Sequence, residues 1–284
     1  MSLAGISDAN GRYAVLAIDH RDSLRAVLSP ADPSGVPAAA ITELKIDLVG
    51  ALGSEVTGVM LEPEFSIPQV IDAGVLPAGV GFVAALESQG YLADPGAGPT
   101  TILDGWSVEA AAASGASCAK LLLPYHPDRP LAAAQEAVAR EVLAECRQVG
   151  IPLVLEPLFY DLDDPADRVR VVIITATRFA NLNPDLLKLP FPVDPTHDAD
   201  EDHWFAACRT ISELAHMPWV LLSGGGTFDD FAAQLTVARS AGCAGFMVGR
   251  ALWAEAAVAG RDERLRLLDT QVRRRLAHLR TIVD

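Results

Sequence analysis

The chain lacks an excess of basic residues: 22 Lys and Arg stand against 37 Asp and Glu, for a formal net charge of -15 at pH 7. Phosphate backbones demand a basic surface, so a general nucleic-acid binder is excluded, whereas a small phosphorylated ligand needs only a few local cations or backbone amides. Long apolar runs are missing too. None approaches the roughly 18 residues of a membrane span, and no basic stretch followed by an apolar one opens the chain, so no membrane partner and a cytoplasmic location are expected. Cysteines are few (Cys118, Cys146, Cys208, Cys243), far apart and without CxxC pairing, which fits reduced thiols better than a disulfide framework or a zinc site. No HExxH is present, and His197 and His203 fall in an acidic loop that reads as solvated.

What is present is half hydrophobic over 284 residues, enough for two ordinary domains or for one α/β barrel of about 250 residues. Eight short apolar runs settle the choice: 13–18, 58–61, 80–86, 117–123, 152–156, 186–189, 219–222 and 245–248. Helical patterns alternate with them, over about 37–51, 67–72, 130–148 (ended by Gly150), from Asp164-Pro165, over 201–216, and from Thr227 or Asp229 through Ser240. A charged helical extension begins near residue 261. No linker divides the chain, and the first run is followed by Asp19-His20-Arg21-Asp22 instead of a GxGxxG turn, so an open dinucleotide-binding sheet loses its motif. The expected fold is therefore α/β, a single parallel (β/α)8 TIM barrel over 1–284. The 89–105 connection, rich in Gly and Pro, is too long for a turn and reads as a functional lid or a disordered segment.

In such a barrel the active site lies at the C-terminal strand ends. Asp19, Glu62, Glu87, Lys120, Glu156, Lys188, Ser223 and Arg250 all fall within or just after strand runs. Lys188 is embedded in Asp185-Leu186-Leu187-Lys188-Leu189-Pro190, where desolvation disfavours the ammonium and can yield the neutral amine that attacks a carbonyl. If Lys120 shares the mouth, mutual repulsion favours one neutral lysine; equally, one or both can pair with Glu156 or Asp19 as a buried ion network. Glu156 stands between them as a potential proton shuttle. Tyr160 and Asp161 either orient a ligand or pack the loop, and His126 borders the mouth. Ser223-Gly224-Gly225-Gly226 and Gly249-Arg250 end strands seven and eight, where backbone amides, a helix N-terminus and a forked guanidinium suit a phosphate or similar anion. Tight-turn glycines and a surface arginine are the plainer alternative.

Leu16-Ala17-Ile18-Asp19-His20-Arg21, Ala119-Lys120-Leu121-Leu122-Leu123-Pro124-Tyr125, Leu155-Glu156-Pro157-Leu158-Phe159-Tyr160-Asp161, Leu187-Lys188-Leu189-Pro190 and the run from Leu222-Ser223-Gly224-Gly225 through Gly249-Arg250-Ala251-Leu252-Trp253 together cover nearly the whole chain. With them the sequence resembles the class I aldolases of the tagatose-1,6-bisphosphate aldolase type, which include the sulfofructose-phosphate aldolases. The resemblance implies a metal-independent carbon–carbon lyase without cofactor, cleaving a ketose phosphate through an imine to dihydroxyacetone phosphate and an aldehyde. By the match, Lys188 is the Schiff-base lysine, Glu156 the acid/base, and Lys120 a second lysine that tunes charge and holds a substrate oxygen. Asp19, His20 and Arg21 would contact a substrate hydroxyl or terminal anion, and Ser223, Gly224, Gly225, Gly249 and Arg250 a phosphate. The family usually has glutamine where His20 stands, a more polar stretch after the lysine, and alanine-glycine after the serine, so the departures bear on substrate identity. Two other readings remain open: a non-catalytic or weakly catalytic sugar-phosphate-binding regulatory barrel, and another Schiff-base lyase such as one of deoxyribose-phosphate type. A homo-oligomer is also left open.

Overall fold

The computed structural model describes residues 1–91 and 94–284. Eight parallel strands, β1 (Tyr13–Ala17), β2 (Gly58–Leu61), β3 (Gly81–Ala85), β4 (Cys118–Pro124), β5 (Leu153–Leu158), β6 (Leu186–Leu189), β7 (Trp219–Leu222) and β8 (Gly245–Val248), pair in sequence order. The ring closes through β1 and β8, with Tyr13 opposite Gly245 and Leu16 opposite Val248. This is the expected (β/α)8 barrel. Between the strands run α1 (Asp22–Leu28), α2 (Ala38–Leu52), α3 (Ile67–Asp72), α4 (Val108–Ala113), α5 (Ala132–Val149), α6 (Arg168–Ala180), α7 (Glu201–Leu214) and α8 (Phe228–Ser240). Helices α1 and α4 escape a reading by periodicity because each is under two turns of seven and six residues.

Local chemistry sets the helix boundaries. Gly150 ends α5 in the left-handed region at φ 84° and donates its N–H to the Cys146 carbonyl, the glycine termination read from sequence. The Asp164 side chain accepts from the Ala166 N–H, with Pro165 opening the short 3-10 turn that leads into α6. Of the two candidates before α8, Thr227 is the cap, accepting from the Asp230 N–H.

Alternation along the strands then decides what faces inward. Tyr13, Val15, Met60, Val83, Cys118, Val154, Leu186, Val220 and Met247 fill the barrel interior, with Ile6 from the N-terminal segment sealing the bottom. One pleat further along β4, β5 and β6, the same inward face carries Lys120, Glu156 and Lys188, two residues after Cys118, Val154 and Leu186 respectively. The intervening Ala119, Leu121, Leu155, Leu187 and Leu189 point outward into the large core under the helices. Each such buried leucine contributes about 1.5–3 kcal/mol. A one-residue slip in any of these strands would exchange its charged and apolar faces, so register is strongly fixed.

The charged C-terminal segment completes the helical ring. After α9 (Arg250–Ala257), α10 (Arg261–Leu267) runs through a π-helical turn at Leu268–Val272 into α11 (Arg273–Val283). Arg264 Nη1 donates to Asp47 Oδ2 on α2 at 2.9 Å, and Arg239 Nε on α8 donates to the Val283 carbonyl at 3.1 Å. The segment therefore sits between α8 and α2. All four cysteines are buried and unpaired. The base of the 89–105 loop is pinned, since Glu87 bridges Ile102 and the Ser88 N–H donates to the Thr101 carbonyl at 2.8 Å. Leu92 and Ala93, within the stretch read as a functional lid or a disordered segment, lie outside the described residues. No described helix is long and apolar enough to cross a membrane.

Candidate active site

A cavity of about 340 Å³ opens at the C-terminal strand ends, lined by residues from β1, β4, β5, β6, β7 and β8 and by Tyr91 from the long loop. Asp19, His20, Glu156, Lys188, Ser223, Gly224, Gly225, Gly249 and Arg250, all singled out in the sequence, lie on its wall. Lys120 lies just behind the wall, and Arg21 is directed elsewhere.

The two lysines occupy unlike environments. Lys120 Nζ donates to Asp19 Oδ2 at 2.8 Å and Glu87 Oε1 at 2.7 Å, and lies 3.0 Å from Glu156 Oε2. Burial alone would drive its proton off, but the carboxylates of Asp19, Glu156 and Glu87 outweigh burial and hold its pKa well above the usual lysine value. Lys120 is thus a fixed ammonium. The buried-network alternative applies to it, and repulsion between bare ammonium groups does not, because carboxylates stand between them. Lys188 Nζ has one carboxylate close by, Glu156 Oε1 at 2.7 Å, and otherwise lies 3.7 Å from Met60 Sδ. It faces the cavity.

Asp19 is the mirror image of Lys120. Burial would raise its pKa, yet Lys120, Lys188 and His20 together hold the carboxyl well below the usual range, so it remains ionised. His20 is pushed the other way, to about 3, chiefly by burial, with Arg250 and Lys188 adding repulsion. It is a neutral imidazole at physiological pH. Its ring stands nearly perpendicular to that of Trp253, with centroids 5.4 Å apart, and Trp253 Nε1 is anchored on the Ala17 carbonyl at 3.2 Å. Glu87, which follows β3, also accepts from the Leu122 N–H at 3.1 Å through its second oxygen and so ties the end of β3 to β4.

Strands seven and eight meet where an anion was expected. Ser223 Oγ accepts from the Gly249 N–H at 3.4 Å. Gly224 and Gly225 adopt φ of 56° and 84°, and a side chain at Gly225 would come within 3.1 Å of Arg250 Nη2. The glycines therefore let the backbone turn beneath the guanidinium. Two buried polar atoms of cavity-lining residues find no hydrogen-bond partner among the described residues: His20 Nδ1 and Arg250 Nε. Buried polar groups in native proteins are nearly always satisfied, so such a grouping marks a place for a polar ligand.

Arg21 lies away from the cavity. Its guanidinium is buried, donating to Glu64 Oε2 at 2.5 Å and to the Glu87 carbonyl at 2.6 Å, and it does not line the cavity. It ties the β1 loop to those of β2 and β3. Tyr160, Asp161 and His126 also stay off the cavity wall: the Asp161 carbonyl accepts from Arg129 at 2.6 Å, and His126 Nδ1 accepts from the Asp128 N–H at 3.2 Å. Glu62 is spent on the buried Lys45 and on Ser66. His203 lies against Asp198 at 2.9 Å on the exposed acidic loop. Arg168, at the start of α6, reaches the cavity although the sequence drew no attention to it.

A family model described as DeoC/LacD family aldolase matches residues 13–255. The chain belongs to the DeoC/LacD aldolase family. It is a carbon–carbon lyase, a class I aldolase. Among its relatives, the tagatose 1,6-diphosphate aldolase of Lactococcus lactis subsp. lactis is 28% identical over 276 residues, covering 89% of this chain and 84% of its own. Tagatose 1,6-diphosphate aldolase 1 of Enterococcus faecalis is 29% identical over 278 residues, covering 89% and 83%. Solved structures share the fold: an archaeal fructose 1,6-bisphosphate aldolase superposes with a TM-score of 0.63 at 20% identity, over 96% of this chain and 95% of its own. The fructose-bisphosphate aldolase of Slackia heliotrinireducens gives 0.66 at 17%, over 95% and 86%.

In this aldolase Gly249 makes room for His20, because a Cβ there would lie 2.6 Å from His20 Cε1 and 3.4 Å from the Ala17 carbonyl. Overpacking of this kind costs about 1–3 kcal/mol. Gly249→Ala is expected to push the imidazole into the cavity and to lower kcat/KM by roughly tenfold, mainly through KM. Steady-state kinetics beside a thermal melt test this, and unchanged kinetics would show that His20 does not adjoin the substrate.

Proposed function

We propose that this aldolase cleaves a ketose bisphosphate between C3 and C4 through an imine on Lys188, releasing dihydroxyacetone phosphate and an aldehyde phosphate. The observation that carries this reading is the asymmetry of the two lysines: Lys120 is locked by three carboxylates, whereas Lys188 faces the cavity with Glu156 beside it. The substrate class follows from the relatives that bear the name tagatose 1,6-diphosphate aldolase.

Lys188 must lose a proton to attack, and Glu156 Oε1 at 2.7 Å is placed to take it. The amine adds to C2 to give a carbinolamine, and Glu156 returns the proton as water leaves. The resulting iminium is the electron sink. Glu156 then removes the proton of the C4 hydroxyl, with the Lys120 ammonium 3.0 Å from its Oε2. As the C4–O bond becomes a carbonyl, the C3–C4 electrons move into the C2 iminium and form an enamine. Protonation at C3 and addition of water release dihydroxyacetone phosphate and restore the amine. Lys120 lowers the cost of keeping Asp19 and Glu156 ionised next to one another. Ser223, Gly224, Gly225, Gly249 and Arg250 hold the C1 phosphate, and this remote binding fixes C2 against Lys188. Asp19 and His20 accept or donate to ketose hydroxyls.

A panel of ketose phosphates, with deoxyribose phosphate beside them, assayed for triose phosphate release tests the reading. Turnover of tagatose or fructose 1,6-bisphosphate, undiminished by a chelator, is expected. Tight binding of the panel without release of any triose phosphate would favour the regulatory barrel, and turnover of deoxyribose phosphate alone would favour the other Schiff-base lyase.

A further inference from the structure

The cavity wall holds two guanidinium groups, and the reaction described above employs one. The second, Arg168, opens α6 and donates Nε at 3.1 Å and Nη2 at 2.8 Å to the Phe191 carbonyl. Its Cζ lies 5.1 Å from the centroid of the Phe159 ring. These contacts fix the plane of the group without neutralising it. Among the described residues Arg168 makes no ion pair. Asp194 acts on it only from a distance, its own carboxylate accepting from the Thr196 N–H and hydroxyl. A guanidinium keeps its proton even when burial opposes the charge. A half-buried cation resting on one carbonyl and one aromatic face is under-compensated, and three of its five N–H groups are uncommitted to that carbonyl.

Its position is as informative as its charge. Arg168 lines the main cavity together with Glu156, Lys188 and Phe159, and it also lines an adjoining recess of about 270 Å³ bounded by Pro190, Phe191 and Ser223. It follows β5, while Arg250 follows β8, three strands further around an eight-stranded ring. The two cations thus stand on different sides of the mouth with Lys188 of β6 between them in strand order. Arg21, which the sequence suggested for a terminal anion, is committed to Glu64 and the Glu87 carbonyl.

We propose that Arg168 binds a second tetrahedral oxyanion, at the end of the ketose opposite the phosphate held by Arg250, and so makes the enzyme select doubly anionic ketoses over monophosphates. This rests on the imine aldolase reading. The shared chemistry is a terminal phosphate ester or a terminal sulfonate, since a guanidinium forks two hydrogen bonds onto either.

The test compares wild type, Arg168→Gln and Arg168→Lys on a ketose 1,6-bisphosphate, the matching ketose 1-phosphate and a 6-sulfonated ketose 1-phosphate. For Arg168→Gln, kcat/KM on the bisphosphate is expected to fall roughly 10- to 100-fold, chiefly through KM, with less than about threefold change on the 1-phosphate. Arg168→Lys should recover part of the loss. A fall confined to the sulfonated substrate would assign the group to sulfonate instead of phosphate. Equal losses on the bisphosphate and the 1-phosphate, or no loss on either doubly anionic substrate, would overturn the proposal. Borohydride trapping with dihydroxyacetone phosphate separates the two levels, because that half-substrate lacks the second anion and should label Arg168→Gln as well as wild type. Were wild type not to label, the aldolase reading would fail, and calorimetric affinities would judge Arg168: equal binding of bisphosphate and 1-phosphate by wild type would overturn its role.

Discussion

Lys188→Met is expected to lower kcat by roughly 10⁴-fold or more, the scale on which removal of a covalent nucleophile acts. The variant should fold. Lys188 sits at the upper edge of the apolar interior against Met60 Sδ, and Glu156 keeps a cation beside it through Lys120 after the substitution. Methionine fills nearly the same space without a charge, so the change in stability should stay within about 2 kcal/mol. Lys120 cannot stand in as nucleophile while Asp19, Glu87 and Glu156 hold it protonated behind the wall. Steady-state turnover measured beside circular dichroism and a thermal melt checks both halves, and wild-type turnover in a folded variant would transfer the nucleophile to another residue.

Lys120→Met is expected to do the opposite: to damage the protein first and the chemistry as a consequence. Removing the central cation leaves three carboxylates facing one another in a buried site, and breaking a buried ion pair on one side costs about 3–5 kcal/mol. The pH dependence identifies the cause. In the wild type the raised pKa of Lys120 contributes stability at pH values below about 10.4, which is lost as pH rises through its folded value. The depressed pKa of Asp19 contributes stability above about 3.9, lost as pH falls through its own folded value. The network is therefore fully stabilising between these limits. Without Lys120 the clustered carboxylates bind protons more readily when folded than when unfolded, so the deficit should shrink as pH is lowered from 8 toward 5. Chemical denaturation at several pH values measures it; a deficit independent of pH would mean that packing, and not charge, is what Lys120 supplies.

The place of Lys120, Glu156 and Lys188 within or at the end of apolar runs four, five and six made a position near the barrel mouth legible before any coordinates, because barrel sites lie at the C-terminal strand ends. The family motifs added the serine-glycine and glycine-arginine ends of β7 and β8. Which lysine the carboxylates hold was not legible from the residues alone, although the resemblance named Lys188 for the imine. That depends on Asp19, Glu87 and Glu156, carboxylates from β1, β3 and β5 that only the closed ring brings onto one ammonium. That Arg21 leaves the cavity wall and Arg168 reaches it was not legible for a related reason. Arg21 adjoins Asp19 in sequence, yet its side chain crosses to the loops of β2 and β3, while Arg168 looks like an ordinary first residue of a helix until the Phe191 carbonyl holds it over the cavity. Neighbours in sequence at a strand end diverge in space; a side chain's destination is set by partners contributed from other strands.

The most direct test of the central claim is reduction with borohydride in the presence of dihydroxyacetone phosphate, followed by mass mapping of the modified peptide. One added reduced triose phosphate on Lys188 is predicted, with Lys120 unmodified and labelling unchanged by chelator. An adduct on Lys120, or on no lysine at all, would contradict the account.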